Sequence, residues 1–458
     1  MVLIVSDALR YDILGCYGGP AETPNIDQLA QRGMLFKRVY STAPCTFPSS
    51  VSMLTGMYAR SFIVSDQEKE NQSMTFLVND QEQLIGEQLS TLGYDVYYDV
   101  ENGISIKANN IQGFEKVGYI NGVSPSEIDH IEKVTGIQNI GGHQDQQLSS
   151  KYDKLYAPLN YLLSVPQDQK YFLLKWFLDP HAPYHPPEKF RRRINYNTDH
   201  LPKEADFYSS MYNIYSSRGM SKQECMYLKK LYQAEVESVD ERVGFILKAL
   251  EHNNRLKDTI IIFTADHGEL FGEHNRLLHD GVFFEPLLRV PLIISGPKIP
   301  KGKLIYKPVS LVDLVPTLME LLKIKPTRKL QGESFAALLK GKSFKARDIF
   351  ADHISNQIKP GNLNSDVLIR GKYKLMNLRV NGRTVSSLYD LQKDPRENEN
   401  IAQKHPTIVR EMFKTVLELR EECNIHLKEN LSRIDSSMDL DRISQENLEL
   451  LKALGYIK

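Results

Sequence analysis

The chain has 458 residues, 41% hydrophobic and 25% charged, and its 57 Lys and Arg balance 57 Asp and Glu to a formal net charge of zero. This is the composition of a globular chain long enough for more than one domain, without the basic excess of a nucleic-acid or membrane-surface binder. The four cysteines, Cys16, Cys45, Cys225 and Cys423, show neither metal-ligand spacing nor a disulfide framework, and no apolar run approaches the roughly 20 residues of a membrane span. Met1 leads straight into an apolar strand pattern without the basic and long apolar regions of an export signal, so a cytoplasmic location is expected.

Residues 2–6 read as a buried strand, and Asp7 stands at its carboxyl end, where ligands gather in open α/β sheets. Thr23-Pro24 opens a short helix with Ile26, Leu29 and Ala30 at helical spacing. The stretch from Ser41 to Gly56 is a loop running into a second helix, with Pro48 in the first turn and Gly56 as the stop. Thr46 therefore sits at a helix N-terminus, where free N–H groups and the helix dipole favour an anionic oxygen. Residues 80–92 read as a helix and Val96-Tyr97-Tyr98 as a strand, followed by Asp99-Val100-Glu101-Asn102-Gly103.

Residues 171–178 are apolar enough, despite Lys175, for an internal parallel strand, with Asp179-Pro180-His181-Ala182-Pro183-Tyr184 at its end. Residues 190–225 are polar, Tyr-rich and weakly periodic, an excursion over the rim of a site. A long amphipathic helix covers 226–251: Tyr232, Val236, Val239, Val243, Ile246 and Leu250 share a stripe, and Glu235, Asp240, Glu241 and Arg242 are expected to face solvent. Thr259–Thr264 is another buried strand, ending in Ala265-Asp266-His267-Gly268-Glu269. Adjacent Asp266 and His267 can turn onto one cation if the backbone breaks from extended geometry, which Gly268 permits. Carboxylate plus imidazole favours Mn²⁺ or Zn²⁺ ahead of Ca²⁺ or Mg²⁺. A donor-rich loop follows, containing His274 and His279. Residues 309–318 read as a capped helix, 367–375 and 388–395 as antiparallel strands with turns, and 402–422 as a helix. The charged tail from Cys423 ends in a short helical pattern over 448–456 that offers an oligomer contact.

These blocks resemble the sulfatase family of the alkaline phosphatase superfamily, in family order over about residues 1–420. Many sulfatases read Cys-x-Pro-Ser-Arg before a helix ending Leu-Thr-Gly. Counted back from Leu54-Thr55-Gly56, Thr46 takes the nucleophile position, with Pro48 and Ser49 in register. Cys45 is one residue out of register, so no formylglycine is expected. Thr-Pro-Asn-x-Asp-x-Leu-Ala, Asp-Pro-His-x-Pro-Tyr, Asp-His-Gly and Glu-x-x-Leu-Arg-Val-Pro-Leu-Ile match family blocks at Thr23, Asp179, Asp266 and Glu285. The departures are Ala8 for a second acidic ligand, Ser50 for Arg, Asp280 for Lys, and no Lys or His just after the strand at 96–98.

The resemblance implies an α/β fold: a large, mixed, mostly parallel sheet sandwiched by helices (residues 1–345), a smaller antiparallel sheet with a helix (346–422) and a helical tail (423–458). It implies one divalent metal ion held by Asp7, Thr46, Asp266 and His267, with Thr46 as nucleophile. His181 and His279 are implied as proton donors or substrate contacts, and His274 as a weaker substrate contact. The partner is a small anionic ester. Hydrolysis or transfer of a phosphodiester or phosphonate ester ranks first. A sulfatase proper and a scaffold that retains the fold without catalysis are the alternatives.

Overall fold

The computed structural model describes residues 1–65, 74–76, 84–101, 116–117, 123–137, 151–196, 219–279, 281–353, 365–380 and 383–436. Most of the excursion at 190–225, the segment following Glu101, Asp280 and the terminal pattern at 448–456 lie outside these residues. The main sheet is built from β1 (Val2–Ser6), β2 (Gly33–Phe36), β3 (Asp95–Val100), β4 (Lys116–Val117), β5 (Tyr171–Phe177), β6 (Ile261–Ala265), β7 (Leu292–Ser295) and β8 (Lys303–Ile305). Its order is β8-β2-β7-β6-β1-β5-β3-β4. β7 runs antiparallel to both neighbours, and the other pairs are parallel. The sheet is thus mixed and mostly parallel, as the sequence implies.

β1 is central, with β5 on one side and β6 on the other in parallel register. Side chains on both faces of all three strands are buried, which is why they are mostly apolar without alternation, buried Lys175 of β5 being the charged exception. Their carboxyl ends lie side by side, so Asp7, Asp179 and Asp266, far apart in sequence, emerge at one edge of the sheet.

Five helices matter for the site: α1 (Pro24–Gln31), α2 (Thr46–Thr55), α3 (Lys222–His252), α4 (Leu314–Leu322) and α5 (Pro406–Ser436). α2 ends as expected, at Gly56 in the left-handed region (φ 72°). α3 starts four residues before the predicted position, at a capping box of Ser221 and Glu224. The helix predicted over 402–422 starts at Pro406 and continues to Ser436.

The charged face of α3 corrects a sequence expectation. Glu235, Asp240 and Arg242 are buried, and only Glu241 keeps partial exposure. The reason is that α3 is packed on several sides, and each charge meets a partner there. Lys151 reaches Glu235 at 2.8 Å and Asp179 at 2.9 Å. Arg242 pairs with Asp179 and approaches Glu101 at 3.8 Å. Asp240 accepts from the Ile26 N–H at 2.8 Å and the Asn25 side chain at 2.8 Å, capping α1.

A second, antiparallel sheet follows in the order β9 (Ile349–His353), β10 (Ser365–Arg370), β11 (Tyr373–Val380) and β12 (Arg383–Asp390). Phe350, Leu368, Leu375 and Leu388 pack with Met412 and Val416 of α5. Ile349, Ala351, Val367 and Ile369 pack with Val282, Phe283, Leu287 and Leu288, the segment that follows His279. The small sheet thereby buttresses one wall of the site. Lys374 of β11, fully buried, ties it to Glu285 at 3.1 Å and Glu397 at 2.7 Å.

Candidate active site

The turn after β1 is stitched to both neighbouring strands. The Asp7 N–H donates to the Phe177 carbonyl at 3.0 Å. Ala8 adopts φ 57°, unusual for a residue other than glycine. Its N–H donates to Asp266 Oδ1 at 3.0 Å and its carbonyl accepts from the Tyr232 hydroxyl at 2.8 Å. Where the family has a second carboxylate, this chain uses backbone to hold the opposite ligand. Gly268 is required by close approach: a Cβ there would lie 1.9 Å from the Pro286 carbonyl oxygen. The Gly268 N–H also donates to Leu287 at 2.7 Å.

Thr46 is the first residue of α2, after Cys45 in extended geometry. The helix start is fixed to the sheet by Ser49, whose hydroxyl donates to the Asp266 carbonyl at 2.7 Å and accepts from Ser41 at 2.9 Å. Buried Thr46 donates to Asp7 Oδ1 at 3.4 Å, and its Oγ1 lies 3.2 Å from His267 Nε2.

His267 Nδ1 sits 2.8 Å from the Gly268 carbonyl. A carbonyl only accepts, so Nδ1 carries the proton and Nε2 presents a lone pair. Burial, then the nearby His279, holds this imidazole well below its usual pKa, so it stays neutral. Its Nε2 lies 3.6 Å from Asp7 Oδ1 and 3.5 Å from Asp266 Oδ2. Burial pushes the Asp266 carboxyl up, although the N–H groups of Ala8 and His267 work the other way. Asp266 Oδ2 has no hydrogen-bond partner among the described residues.

One donor atom from each of Asp7, Asp266 and His267 lies within 4.8 Å of the others. Convergent buried acceptors with an orphaned carboxylate oxygen are costly as they stand, and a cation among them removes the cost. Two carboxylates and one imidazole fit a divalent metal ion.

His181 and His279 are brought to the same place. Their ring centroids are 4.9 Å apart, and His279 lies 4.7 Å from His267. His181 Nδ1 donates to the Ala182 carbonyl at 2.6 Å, which fixes its tautomer in the same way. Burial, then His279, lowers its pKa. His274 is not brought there. Its ring stacks on Phe284 at 3.6 Å, and Lys374 and Asp394 of the C-terminal region are among the charges it feels. Adjacency to a donor-rich loop does not tell which face a ring turns to.

Cys45 lies close to the site carboxylates. Burial first, then Asp266, Asp352 and Asp7, pushes its thiol up to about 12, so it stays protonated. Asp99 near the end of β3 and Glu101 just beyond it, where the resemblance places family cations, are tied to buried Lys175, Glu101 at 2.9 Å. Sequence reasoning missed two residues. Fully buried Glu269 contacts His279 Nδ1 at 3.2 Å and accepts from the Tyr184 hydroxyl at 3.0 Å. A carboxylate wedged before the apolar pair Leu270-Phe271 was the available signal.

Residues 1–324 match the family described as Sulfatase. The chain belongs to the sulfatase family. It is accordingly an ester hydrolase of the alkaline phosphatase superfamily, and residues 272–422 match the family described as N-sulphoglucosamine sulphohydrolase, C-terminal. An arylsulfatase of Clostridium perfringens is 26% identical over 446 residues, covering 88% of this chain and 89% of its own. Arylsulfatase K of Gallus gallus is 33% identical over 46% of this chain and 40% of its own. Among solved structures, the phosphonate monoester hydrolase of Agrobacterium radiobacter superposes with a TM-score of 0.71 at 21% identity, over 92% of this chain and 95% of its own. A putative sulfatase from Bacteroides thetaiotaomicron gives 0.70 at 21% identity, over 93% and 92%. At these identities the structural likeness is one of fold. Among the described residues no helix is long and apolar enough to cross a membrane.

Proposed function

We propose that this sulfatase-family chain hydrolyses a small, singly charged ester, a phosphodiester or phosphonate monoester ahead of a sulfate ester, with Thr46 as the nucleophile. The observation that carries this reading is the Thr46 hydroxyl, 3.4 Å from Asp7 Oδ1 and 3.2 Å from His267 Nε2 at the start of α2. Asp7, Asp266 and His267 would hold one divalent ion, Mn²⁺ or Zn²⁺ ahead of Ca²⁺ or Mg²⁺, beside Thr46 Oγ1. Bound there, the ion would supply Lewis-acid charge that favours ionised oxygen over hydroxyl.

The chain's own groups account for the rest. Asp7 receives the Thr46 hydrogen bond, and the first turn of α2 points its dipole at the oxygen that becomes negative. Thr46 Oγ1 gives up its proton along the hydrogen bond to Asp7 as it bonds to the phosphorus or sulfur, and the bond from that atom to the leaving oxygen breaks. His181 or His279, carrying a second proton on Nε2 for this step, gives that proton to the leaving oxygen and is left neutral. Thr46 has no second hydroxyl with which to expel the group, so water must then attack the same phosphorus or sulfur and release Thr46. Transfer to another acceptor would follow the same path.

The ranking of substrates rests on charge. Ser50 and Asp280 stand where the family has Arg and Lys, and among the described residues Lys175 is engaged by Asp99 and Glu101, Arg10 by Asp12 and Glu273, and Arg60 by Asp352. Such a site suits one negative charge better than two. A sulfate ester also carries one, and the similarity to an arylsulfatase over most of both chains supports it as the second reading. The test is kcat/KM of the metal-loaded protein on matched aryl phosphodiester, aryl phosphonate and aryl sulfate. The first or second should be fastest, and Thr46→Ala should remove that activity. A higher kcat/KM on the sulfate, also lost in Thr46→Ala, would reverse the ranking.

A further inference from the structure

His279 Nδ1 lies 3.2 Å from Glu269 Oε1, and Glu269 is completely buried. The other oxygen of that carboxylate accepts from the Tyr184 hydroxyl at 3.0 Å. The Glu269 backbone is fixed as well, because its carbonyl accepts from Arg10 Nη1 at 3.1 Å. Tyr184 is buried against Tyr232 and Phe271, with ring centroids 5.7 and 5.8 Å away. Two segments that meet at the site edge, 179–184 and 266–271, thus share one carboxylate.

We propose that Glu269, locked by Tyr184, is the positioning residue that sets the tautomer and ring orientation of His279. This rests on the reading of His279 as a proton donor to the leaving group. A buried carboxylate accepting on Oε1 requires the proton on His279 Nδ1. The donor is the imidazolium, whose second N–H, on Nε2, goes to the leaving oxygen, while Glu269 accepts from Nδ1 before and after that transfer. Tyr184 donates to the second oxygen, so swinging the carboxylate away would break that buried hydrogen bond as well. Neither residue touches the reacting atoms. The Nδ1 atoms of His181 and His267 face backbone carbonyls, whereas that of His279 faces a side-chain carboxylate that mutation can remove.

The test compares two aryl esters of the same acid, one with a 4-nitrophenyl and one with a phenyl leaving group. The first needs little protonation to depart and the second needs it strongly. His279→Asn should lower kcat on the phenyl ester by about 10²-fold or more and on the nitrophenyl ester far less. Glu269→Gln presents an amide N–H to Nδ1 and imposes the other tautomer. It should raise the nitrophenyl-to-phenyl ratio of kcat in the same direction, with metal content unchanged. Tyr184→Phe should do so more weakly, and Glu269→Gln added to His279→Asn should change the ratio no further.

A wild-type ratio in folded Glu269→Gln overturns the proposal. If Glu269→Gln does not fold, a wild-type ratio in Tyr184→Phe overturns it. If His279→Asn itself leaves the ratio unchanged, the reading of His279 as donor fails and the proposal falls with it. A shifted ratio in His279→Asn with none in Glu269→Gln removes only the positioning role.

Discussion

Asp7 Oδ1 and His267 Nε2 face each other at 3.6 Å, and both are acceptors. The His267 proton is committed to Gly268 on the far side of the ring, and the Thr46 hydroxyl is the donor within reach of both. Opposed lone pairs in a buried site are costly, and the proposed cation would remove that cost. About one divalent ion per chain should survive purification in metal-containing buffer. Asp7→Ala and Asp266→Ala should each lose most of it. Elemental analysis decides, and equal metal content in wild type and the double variant would refute the site.

The same site gives a pH dependence with a definite sign. Burial raises the Asp266 carboxyl, so the metal-free native state holds a proton where the unfolded chain, near 3.9, has released it. Metal-free protein therefore gains stability from this group as pH falls from neutral, while a bound ion must compete with that proton. His267 acts oppositely: its pKa is lowered, so the unfolded imidazole protonates first and stability falls below about 6.5. That effect is common to both forms and cancels between them. The Tm difference between metal-loaded and chelator-treated protein should narrow from pH 8 to pH 5. A constant or widening gap would contradict it.

Arg242 is fully buried between Asp179 and Glu101, behind the loop that carries His181. Arg242→Ala leaves two buried carboxylates short of a cation and should destabilise the fold by about 3–5 kcal/mol. Glu235→Gln should cost less, because Lys151 retains Asp179. Urea unfolding of the two variants tests the order.

His274→Ala should leave kcat and KM within about 2-fold of wild type, as expected of a substitution outside the catalytic cluster. The stacked geometry on Phe284 places its effect on local packing. A loss of activity comparable to that of His181→Ala would return His274 to the site.

Much of this was legible in the chain. β1, β5 and β6 are mostly apolar and lead within two residues to Asp7, Asp179 and Asp266, a pattern that points to strand ends as the place of the candidate site. The charges of α3 were misread because periodicity shows only that Glu235 and Arg242 lie off the apolar stripe. Their partners Lys151 and Asp179 are 84 and 63 residues away in sequence. Glu269 went unnoticed for the same reason: its partner Tyr184 is 85 residues distant. Gly268 was credited with backbone freedom, whereas its requirement is the space taken by the Pro286 carbonyl.

The most direct test of the central claim is to compare Thr46→Ala with Cys45→Ala in kcat/KM on the preferred aryl ester, with the mass of the peptide spanning both residues recorded. Thr46→Ala should lose at least about 10³-fold while keeping its metal, since the nucleophile is gone but the three protein ligands remain. Its Tm should fall little. Cys45→Ala should stay within a few fold of wild type, and the wild-type peptide should carry Cys45 unmodified. Activity retained in Thr46→Ala, or an aldehyde at Cys45 with activity lost in Cys45→Ala, would contradict the assignment and move the nucleophile by one residue.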